Sequence, residues 1–91
     1  MIKIVSANSA DIDRIKAAAD VIEEVDELVT YLGFCAPGTT ATNVPAWSIL
    51  KIEQSGADLP ILTTQKWATG LCAYNLIWDN RAAYQYTFKN F

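Results

Sequence analysis

One polar cluster in the chain is flanked by large hydrophobic side chains. It is Asp79-Asn80-Arg81, which follows Trp78 directly. An arginine fork binds a carboxylate through two parallel hydrogen bonds, and tryptophan is a frequent anchor of protein interfaces. As a contact motif, the cluster would place Trp78 and Arg81 against a neighbouring chain. The alternative is a hairpin turn in which Asp79 caps backbone amides and Arg81 lies over an aromatic ring. The two interpretations are compatible.

The residues that usually perform catalysis are few or widely separated. The chain contains no His, and its two cysteines, Cys35 and Cys72, do not form a CxxC motif, which argues against a zinc site. The four glycines are scattered and form no phosphate-binding loop. Most acidic residues fall in one predicted helix, where a solvated face is the simplest explanation. We therefore expect a protein that is not an enzyme, with no cofactor and no metal.

Targeting signals are absent from the sequence pattern. The opening residues 1–5 are too short and too soon polar for a signal peptide, and no apolar run approaches the ~18 residues of a membrane span. Without an export signal, we expect Cys35 and Cys72 to be reduced and to serve as small buried apolar groups.

Composition favours self-association. The 91 residues predict a single domain, 1–91, yet 52% of them are hydrophobic and only 19% are charged. Three Trp, four Tyr and three Phe add more apolar surface than a short monomer buries comfortably. The net charge of −3 argues against a nucleic-acid partner. The expected partner is a second copy of the chain.

The N-terminal third shows apolar residues at alternating steps of three and four. Ser9 or Asp11 would cap a helix that spans 9–33 and ends at Gly33. One interpretation is an amphipathic helix packed on its own sheet; the other is a coiled coil that favours three chains. An acidic run in the second half of this segment is unfavourable for a helix C-terminus, so packing would have to override it. The a positions would be Ile15, Ile22 and Val29, and the d positions Ala18, Val25 and Leu32.

The remaining sequence predicts a linker and a small sheet. Residues 34–45 are rich in small residues and proline, and the β unit spans 46–91. In the first strand, apolar residues occupy both faces, which indicates that both are covered. The fold class predicted is α+β, with one N-terminal amphipathic or coiled-coil helix followed by an antiparallel four-stranded β meander. Its strands would be 46–54, 59–67, 71–78 and 82–88, with a tight turn at Asp79-Asn80.

The three tryptophans admit two roles. Trp47, Trp67 and Trp78 could form a platform on which a carbohydrate stacks, or they could belong to the core and a subunit interface. Their exposure distinguishes these roles, because a stacking platform requires exposed coplanar rings.

Four short motifs occur in an order that resembles a class of small tailed-phage virion proteins. The class shows TYIGxAAPGT, WxIKKI, WAxG and YxxIWDNRA, and this chain departs from it at Cys35, where small residues are usual, and at Thr69, where an acid is usual. The matching residues are Tyr31, Gly33, Ala36, Pro37, Gly38 and Thr39, then Trp47, Ile49, Lys51 and Ile52, and then Tyr74, Ile77, Trp78, Asp79, Asn80, Arg81 and Ala82.

The resemblance implies a structural part of a virus particle that is assembled in the host cytoplasm. Taken with the composition, it predicts a non-enzymatic homo-oligomer, with a trimer favoured, in a fibre, spike or collar, in contact with other virion proteins. The alternatives are a receptor- or glycan-binding module and a capsid decoration or head-completion protein. The residues predicted at interfaces are Ile15, Ile22, Val25, Val29, Leu32, Trp47, Trp78 and Arg81.

Overall fold

The fold is an antiparallel β-sheet. A computed structural model describes residues 18–56 and 58–91. The strand order is β1-β2-β3-β4-β6, and β5 also pairs with β3. The elements in chain order are β1 (Val21–Glu24), β2 (Val29–Cys35), β3 (Pro45–Gln54), β4 (Thr63–Ala68), β5 (Leu76–Ile77), a 3₁₀ helix (Trp78–Ala83) and β6 (Tyr86–Thr87).

The predicted helix over 9–33 is wrong, and so are the coiled coil and the α+β class. Residues 9–17, including Ile15, lie outside the described residues, but 21–33 form a hairpin of β1 and β2. The Asp26 carboxylate accepts hydrogen bonds from the amides of Leu28 and Val29 at 2.7 and 3.0 Å and turns the chain. Within residues 18–56 and 58–91, no helix reaches seven residues.

The heptad pattern fails because the strand register separates its members. Ile22 pairs with Leu32, while Val29 pairs with Glu53 of β3 and points to the opposite face from Leu32. Val25 lies in the turn between the strands. β-branched and aromatic residues in β2 favour a strand. The acidic run, unfavourable at a helix C-terminus, surrounds the hairpin turn instead.

The long strand β3 is the centre of the sheet, and the prediction of a strand over 46–54 is confirmed. One edge of β3 pairs with β2. The other edge pairs with β4 through Leu50–Gln54 and with β5 at Pro45 and Trp47. The expectation that both faces are covered is also confirmed, because Ile49 and Leu50 point in opposite directions and are 0% and 1% exposed.

The four-stranded meander is wrong beyond the β3–β4 hairpin. The strands predicted at 59–67, 71–78 and 82–88 are observed only as the shorter strands β4, β5 and β6. β5 pairs with β3, whereas the predicted meander would pair it with the strands before and after it. A 3₁₀ helix replaces the predicted tight turn at 79–80. Local hydrogen bonds hold this segment, since the Ile77 amide donates to the Tyr84 hydroxyl at 2.9 Å.

Two apolar clusters cover the two faces of the sheet. We name the faces by residues of β3: the Trp47 face and the Leu50 face. Leu32, Leu50 and Ile52 are buried on the Leu50 face, with Phe34 and Trp67 packed against them. The buried residues on the Trp47 face are Trp47, Ile49, Ala68, Leu76 and Trp78.

Candidate contact sites

Trp78 is a core residue of its own chain. It is 5% exposed, and its ring centroid lies 5.8 Å from that of Trp47 at an angle of 41°. The Trp78 ring packs directly against Gly33 of β2. Only a glycine leaves space for the ring, because a Cβ atom at position 33 would lie 2.6 Å from Trp78 Cε3. A glycine in the middle of a strand is therefore required here by close approach of an aromatic ring.

Arg81 binds within its own chain. Its Nε and Nη2 donate to the two carboxylate oxygens of Glu23 in β1 at 2.8 and 2.6 Å, a bidentate pair. The guanidinium lies 4.9 Å from the centre of the Trp78 ring and also donates to the Trp78 carbonyl at 3.3 Å. The placement of Arg81 over an aromatic ring is confirmed; the hairpin turn proposed around it is wrong.

The electrostatics of this pair are reciprocal. The hydrogen bonds from Arg81 hold the pKa of Glu23 below its usual value, and those to Glu23 raise the pKa of Arg81. Both side chains remain partly exposed, at 25% for Arg81 and 39% for Glu23, so solvent screens the pair. Its role is to fasten β1 to the 3₁₀ helix across a large sequence separation.

A second group of aromatic and charged side chains lies beside this pair. Lys51 Nζ lies 5.7 Å from the Tyr31 ring centre and 5.5 Å from that of Tyr86, and it forms an ion pair with Glu53 at 3.6 Å. The Tyr86 hydroxyl donates to the Arg81 carbonyl at 2.7 Å. Burial raises the pKa of Tyr86 above its usual value. We name Trp47, Trp78, Arg81 and Glu23 the tryptophan lock, in which the Arg81 guanidinium binds both the Glu23 carboxylate and the Trp78 carbonyl.

The third tryptophan lies in a different setting, a cleft at the outer side of β4. This edge cleft has a volume of about 860 Å³. Three of its apolar residues, Leu62, Phe88 and Phe91, are 66%, 64% and 68% exposed. Phe91 packs edge-on against Trp67 with centroids 5.9 Å apart. The lining residues are Leu62, Thr63, Thr64, Gln65, Trp67, Phe88, Lys89 and Phe91.

The cleft exists because β6 covers only the end of β4. The pairing joins Trp67 to Thr87 and Ala68 to Tyr86. The chain then turns away, since the Asn90 amide donates to the Gly70 carbonyl at 2.7 Å. Gly70 permits this turn with a φ of +73°, and a Cβ atom there would lie 2.5 Å from Thr87 Oγ1. Four residues of β4, 63–66, therefore have no described strand on their outer side.

The backbone of this open edge points two amides outward. The Ser55 amide donates to the Leu62 carbonyl at 2.9 Å, which sets the alternation of hydrogen-bonded and non-hydrogen-bonded pairs between β3 and β4. By that alternation, the amides and carbonyls of Thr63 and Gln65 point away from β3. Such groups are a template for an additional strand.

The predicted interface residues fall into three environments. Ile15 lies outside the described residues. Ile22 and Val25 are 44% and 54% exposed at the β1 end of the sheet. The other five are buried or half-buried: Val29, Leu32, Trp47, Trp78 and Arg81. The structure brings Trp47, Trp78 and Arg81 together. It places Val29 and Leu32 on opposite faces of the sheet.

The sequence interpretation missed the edge cleft. Phe88 and Phe91 were not among the predicted site residues. The available signal was the polar run Thr63-Thr64-Gln65-Lys66 inside a predicted strand, followed by Trp67. A strand with successive polar residues is typical of a sheet edge. The aromatic partners come from the C-terminal residues, which no local pattern links to β4.

The two cysteines differ. Cys35 is half-buried and Cys72 is exposed, and both thiols are free, so the expectation that both are buried is wrong for Cys72. Burial and the nearby Asp20 carboxylate raise the pKa of Cys35, which keeps the thiol in its less reactive form. Across residues 18–56 and 58–91, no three cysteine or acidic side chains converge to hold a metal ion. No helix in this part of the chain is long and apolar enough to span a membrane.

Comparison with known proteins leaves the sequence resemblance as a prediction. No family model matches the chain, and neither a curated protein nor a solved structure does.

Proposed function

We propose that the chain is a non-enzymatic structural component of a tailed-phage particle that assembles with copies of itself. The observation that carries this proposal is the edge cleft, where Leu62, Phe88 and Phe91 are each about two-thirds exposed around Trp67. Large apolar side chains grouped on a surface mark a site of protein association. The motif resemblance supplies the kind of particle.

Exposed apolar surface extends beyond the cleft. The described residues include ten large hydrophobic side chains that are at least 36% exposed. Some lie at the β1 end, as Ile22 and Val25 do, and others surround β4 and β6. Single exposed hydrophobic residues are ordinary, but this grouping beside an open strand edge favours association unless another chain covers it.

The proposed contacts use the sheet rather than helices. The heptad pattern was the reason to prefer three copies, and residues 21–24 and 29–35 of that pattern form strands instead. We therefore propose a homo-oligomer without a stated number of copies. A fibre, spike or collar element is the leading location, and a capsid decoration or head-completion protein is the alternative.

The state of the reactive groups supports a non-enzymatic role. Arg81 binds the carboxylate of Glu23, and burial and the nearby Asp20 carboxylate raise the pKa of the Cys35 thiol, which keeps it in its less reactive form. A reactive cysteine usually has a lowered pKa instead.

Light scattering on purified chain tests the proposal. The wild type is expected to have a mass that is a multiple of 10.0 kDa at micromolar concentration. The double variant Phe88→Ser/Phe91→Ser should dissociate towards a monomer. The matched control, Leu71→Ser/Tyr74→Ser, changes two hydrophobic residues that are 39% and 52% exposed outside the cleft, and it should retain the wild-type mass. A monomeric wild type, or equal behaviour of the two double variants, contradicts the proposal.

Trp67 favours a second candidate, a glycan-binding module. A half-buried aromatic ring beside Thr63, Thr64 and Gln65 provides a stacking surface with hydroxyl and amide groups. The larger platform of three tryptophans does not form, because Trp47 and Trp78 are 4% and 5% exposed. Oligosaccharide titration followed by tryptophan emission, with Trp67→Ala as the control, tests this candidate. Saturable binding by a monomeric wild type would favour it over assembly.

A further inference from the structure

We propose that β4 pairs in an antiparallel manner with β4 of a second copy, so that two sheets join into one across a two-fold axis. The contact uses residues 63–66, which we call the β4 edge, because β6 pairs only with Trp67 and Ala68 of this strand. This inference rests on the proposed self-association and names the contact through which the copies associate.

The outward backbone groups of Thr63 and Gln65 define the register of the contact. In an antiparallel ladder, two residues whose backbone groups point at each other exchange both of their hydrogen bonds. When Thr63 lies across from Gln65 of the second copy, the two-fold axis places Gln65 across from Thr63 of that copy. All four outward amides are then bonded, and Thr64 meets its own counterpart on the axis. Such a contact is isologous and closes at two copies.

Other registers with the same direction of pairing use the edge less well. A shift that places Gln65 opposite its own counterpart also places Thr63 opposite Trp67, which already pairs with Thr87 of β6. A shift that places Thr63 opposite its own counterpart leaves Gln65 opposite Ile61, which lies outside the strand. The register between Thr63 and Gln65 alone keeps all of its hydrogen-bonded pairs within the β4 edge.

Two buried polar groups at this edge have no hydrogen-bond partner among the described residues. They are Gln54 Nε2 and Thr63 Oγ1. Gln54 is 7% exposed and pairs with Thr63 across the β3–β4 ladder, so both side chains lie on the Leu50 face. A buried donor without an acceptor is costly and rare in a folded protein. These groups therefore indicate that a further polar side chain belongs beside Thr63.

The proposed register supplies that side chain from the second copy. Gln65 lies on the Leu50 face, because it pairs with Ile52 of β3. Across the axis, its carboxamide would lie beside Thr63 of the other copy, at the end of the row formed by Gln54 and Thr63. A carboxamide offers a carbonyl acceptor, which both unpaired groups need, and N–H donors as well. This match favours a second copy over an unrelated strand, because the chain itself carries both the unpaired groups and their complement.

The other face of the contact brings exposed apolar side chains together. Leu62 and Lys66 lie on the Trp47 face, and the register places Leu62 of one copy across from Lys66 of the other. Lys66 Nζ lies 5.0 Å from the Phe88 ring centre, so Leu62 would approach Phe88; these two side chains are 66% and 64% exposed. The two Lys66 residues stay four strand positions apart, about 14 Å, so they do not oppose each other.

Disulfide formation across the axis tests the register directly. In a background of Cys35→Ala and Cys72→Ser, which removes both free thiols, Thr64→Cys places two thiols in a non-hydrogen-bonded pair. The Cα atoms of such a pair lie about 4.5 Å apart, within the range of a disulfide. On mild oxidation at micromolar concentration, the variant should form a covalent dimer of twice the 10.0 kDa chain mass.

Lys66→Cys in the same background is the matched control. It lies on the same face of the same strand, but its counterpart would be about 14 Å away. Thr64→Cys should link at least tenfold faster than this control, as measured by non-reducing electrophoresis. Equal rates would contradict the paired β4 edges, and faster linkage by Lys66→Cys would contradict the register.

Sedimentation velocity on the wild type separates this inference from the proposed function. If the wild type is monomeric at micromolar concentration, the self-association proposal fails and takes the inference with it. If the wild type associates but Thr64→Cys links no faster than Lys66→Cys, the contact between β4 edges is wrong while the structural role stands.

Charge variants at the axis provide a second test should a cysteine variant unfold. Thr64→Lys and Thr64→Glu each place like charges directly opposite each other, so each alone should associate about tenfold more weakly than the wild type at low salt. Their equimolar mixture should recover association as a heterodimer, because a lysine then meets a glutamate. A mixture that associates no more strongly than its components would overturn the contact.

Val44→Lys is the control for the charge variants. Val44 is 36% exposed in the loop before the central strand β3, away from the β4 edge in the strand order. This variant should associate as the wild type does, and weakening equal to that of Thr64→Lys would contradict the assignment. Far-UV circular dichroism and tryptophan emission verify that each variant is folded.

Discussion

The tryptophan lock and the edge cleft use similar residues in opposite ways. In the lock, Trp78 is 5% exposed, Gly33 permits the ring to approach β2, and Arg81 covers it while binding Glu23. In the cleft, Trp67 lies beside Phe91, and Lys89 is part of the lining, yet Phe88 and Phe91 are about two-thirds exposed. Both regions combine aromatic rings with a cation.

Strand pairing decides the difference. The lock forms where β2, β3, β5 and the 3₁₀ helix meet, so its side chains are covered from several directions. The cleft forms where β6 ends and the chain turns towards Gly70. An aromatic side chain stabilises the fold in the first setting and is available to a second molecule in the other.

The largest expected difference is between two tryptophan truncations. Trp78→Ala removes a buried ring and should lower the free energy of unfolding by ~3–5 kcal/mol. Trp67→Ala, at a half-buried ring, should cost less than Trp78→Ala and should weaken association. Denaturant unfolding and sedimentation on both variants measure this contrast. Equal losses of stability would remove the distinction between lock and cleft.

Gly33→Ala tests the close contact inside the lock. The added methyl would lie 2.6 Å from Trp78 Cε3, so overpacking should cost ~1–3 kcal/mol in thermal or denaturant unfolding. The cost should become smaller in a Trp78→Leu background, where the ring is absent. If the two substitutions are additive, the ring and the glycine are not in the described contact.

Removal of the Glu23–Arg81 pair should have a smaller effect with a defined pH dependence. Because both side chains are partly exposed, Glu23→Gln should cost ~1 kcal/mol or less at pH 7. The pKa of Glu23 is lowered in the folded state, so its stabilising contribution is present above the usual value of 4.5 and is lost as the pH falls through the lowered pKa. The stability difference between the wild type and Glu23→Gln should therefore close in acid. A gap that widens as the pH falls would contradict the pairing.

Phe91→Ala should have the smallest effect on the fold. Its side chain is 68% exposed, so the free energy of unfolding should change by less than ~0.5 kcal/mol, measured at a concentration low enough to dissociate any oligomer. The same variant should weaken association, because Phe91 borders the edge cleft. Unchanged association combined with a large loss of stability would place Phe91 in the core.

Local sequence signals predicted the centre of the sheet but not its ends. The strand 46–54 was correct because Trp47, Ile49, Leu50 and Ile52 give an apolar signal on both faces. The predicted helix was wrong because apolar residues can also be spaced by three and four positions when two strands flank a turn. The Asp26 carboxylate stabilises that turn by accepting two backbone hydrogen bonds. The acidic residues around Asp26 were the signal against a helix.

The candidate sites depend on contacts between distant residues, which a single sequence does not reveal. Arg81 was predicted to bind a carboxylate, but its partner, Glu23, lies in a segment predicted as helix. Trp78 was predicted either at an interface or in the core, and the structure places it in the core of its own chain. The edge cleft depends on where β6 stops pairing, which is set by the hydrogen bond between Asn90 and Gly70.

Amide hydrogen exchange at low and high protein concentration tests the central claim most directly. If copies associate through the edge cleft, the amides of Thr63 and Gln65 in β4 should gain protection as concentration rises. The amides of the 3₁₀ helix, 78–83, should not change. Concentration-dependent protection confined to the 3₁₀ helix, or no dependence on concentration at any of these amides, would contradict the claim that the lock stabilises the fold and the edge cleft binds a second copy.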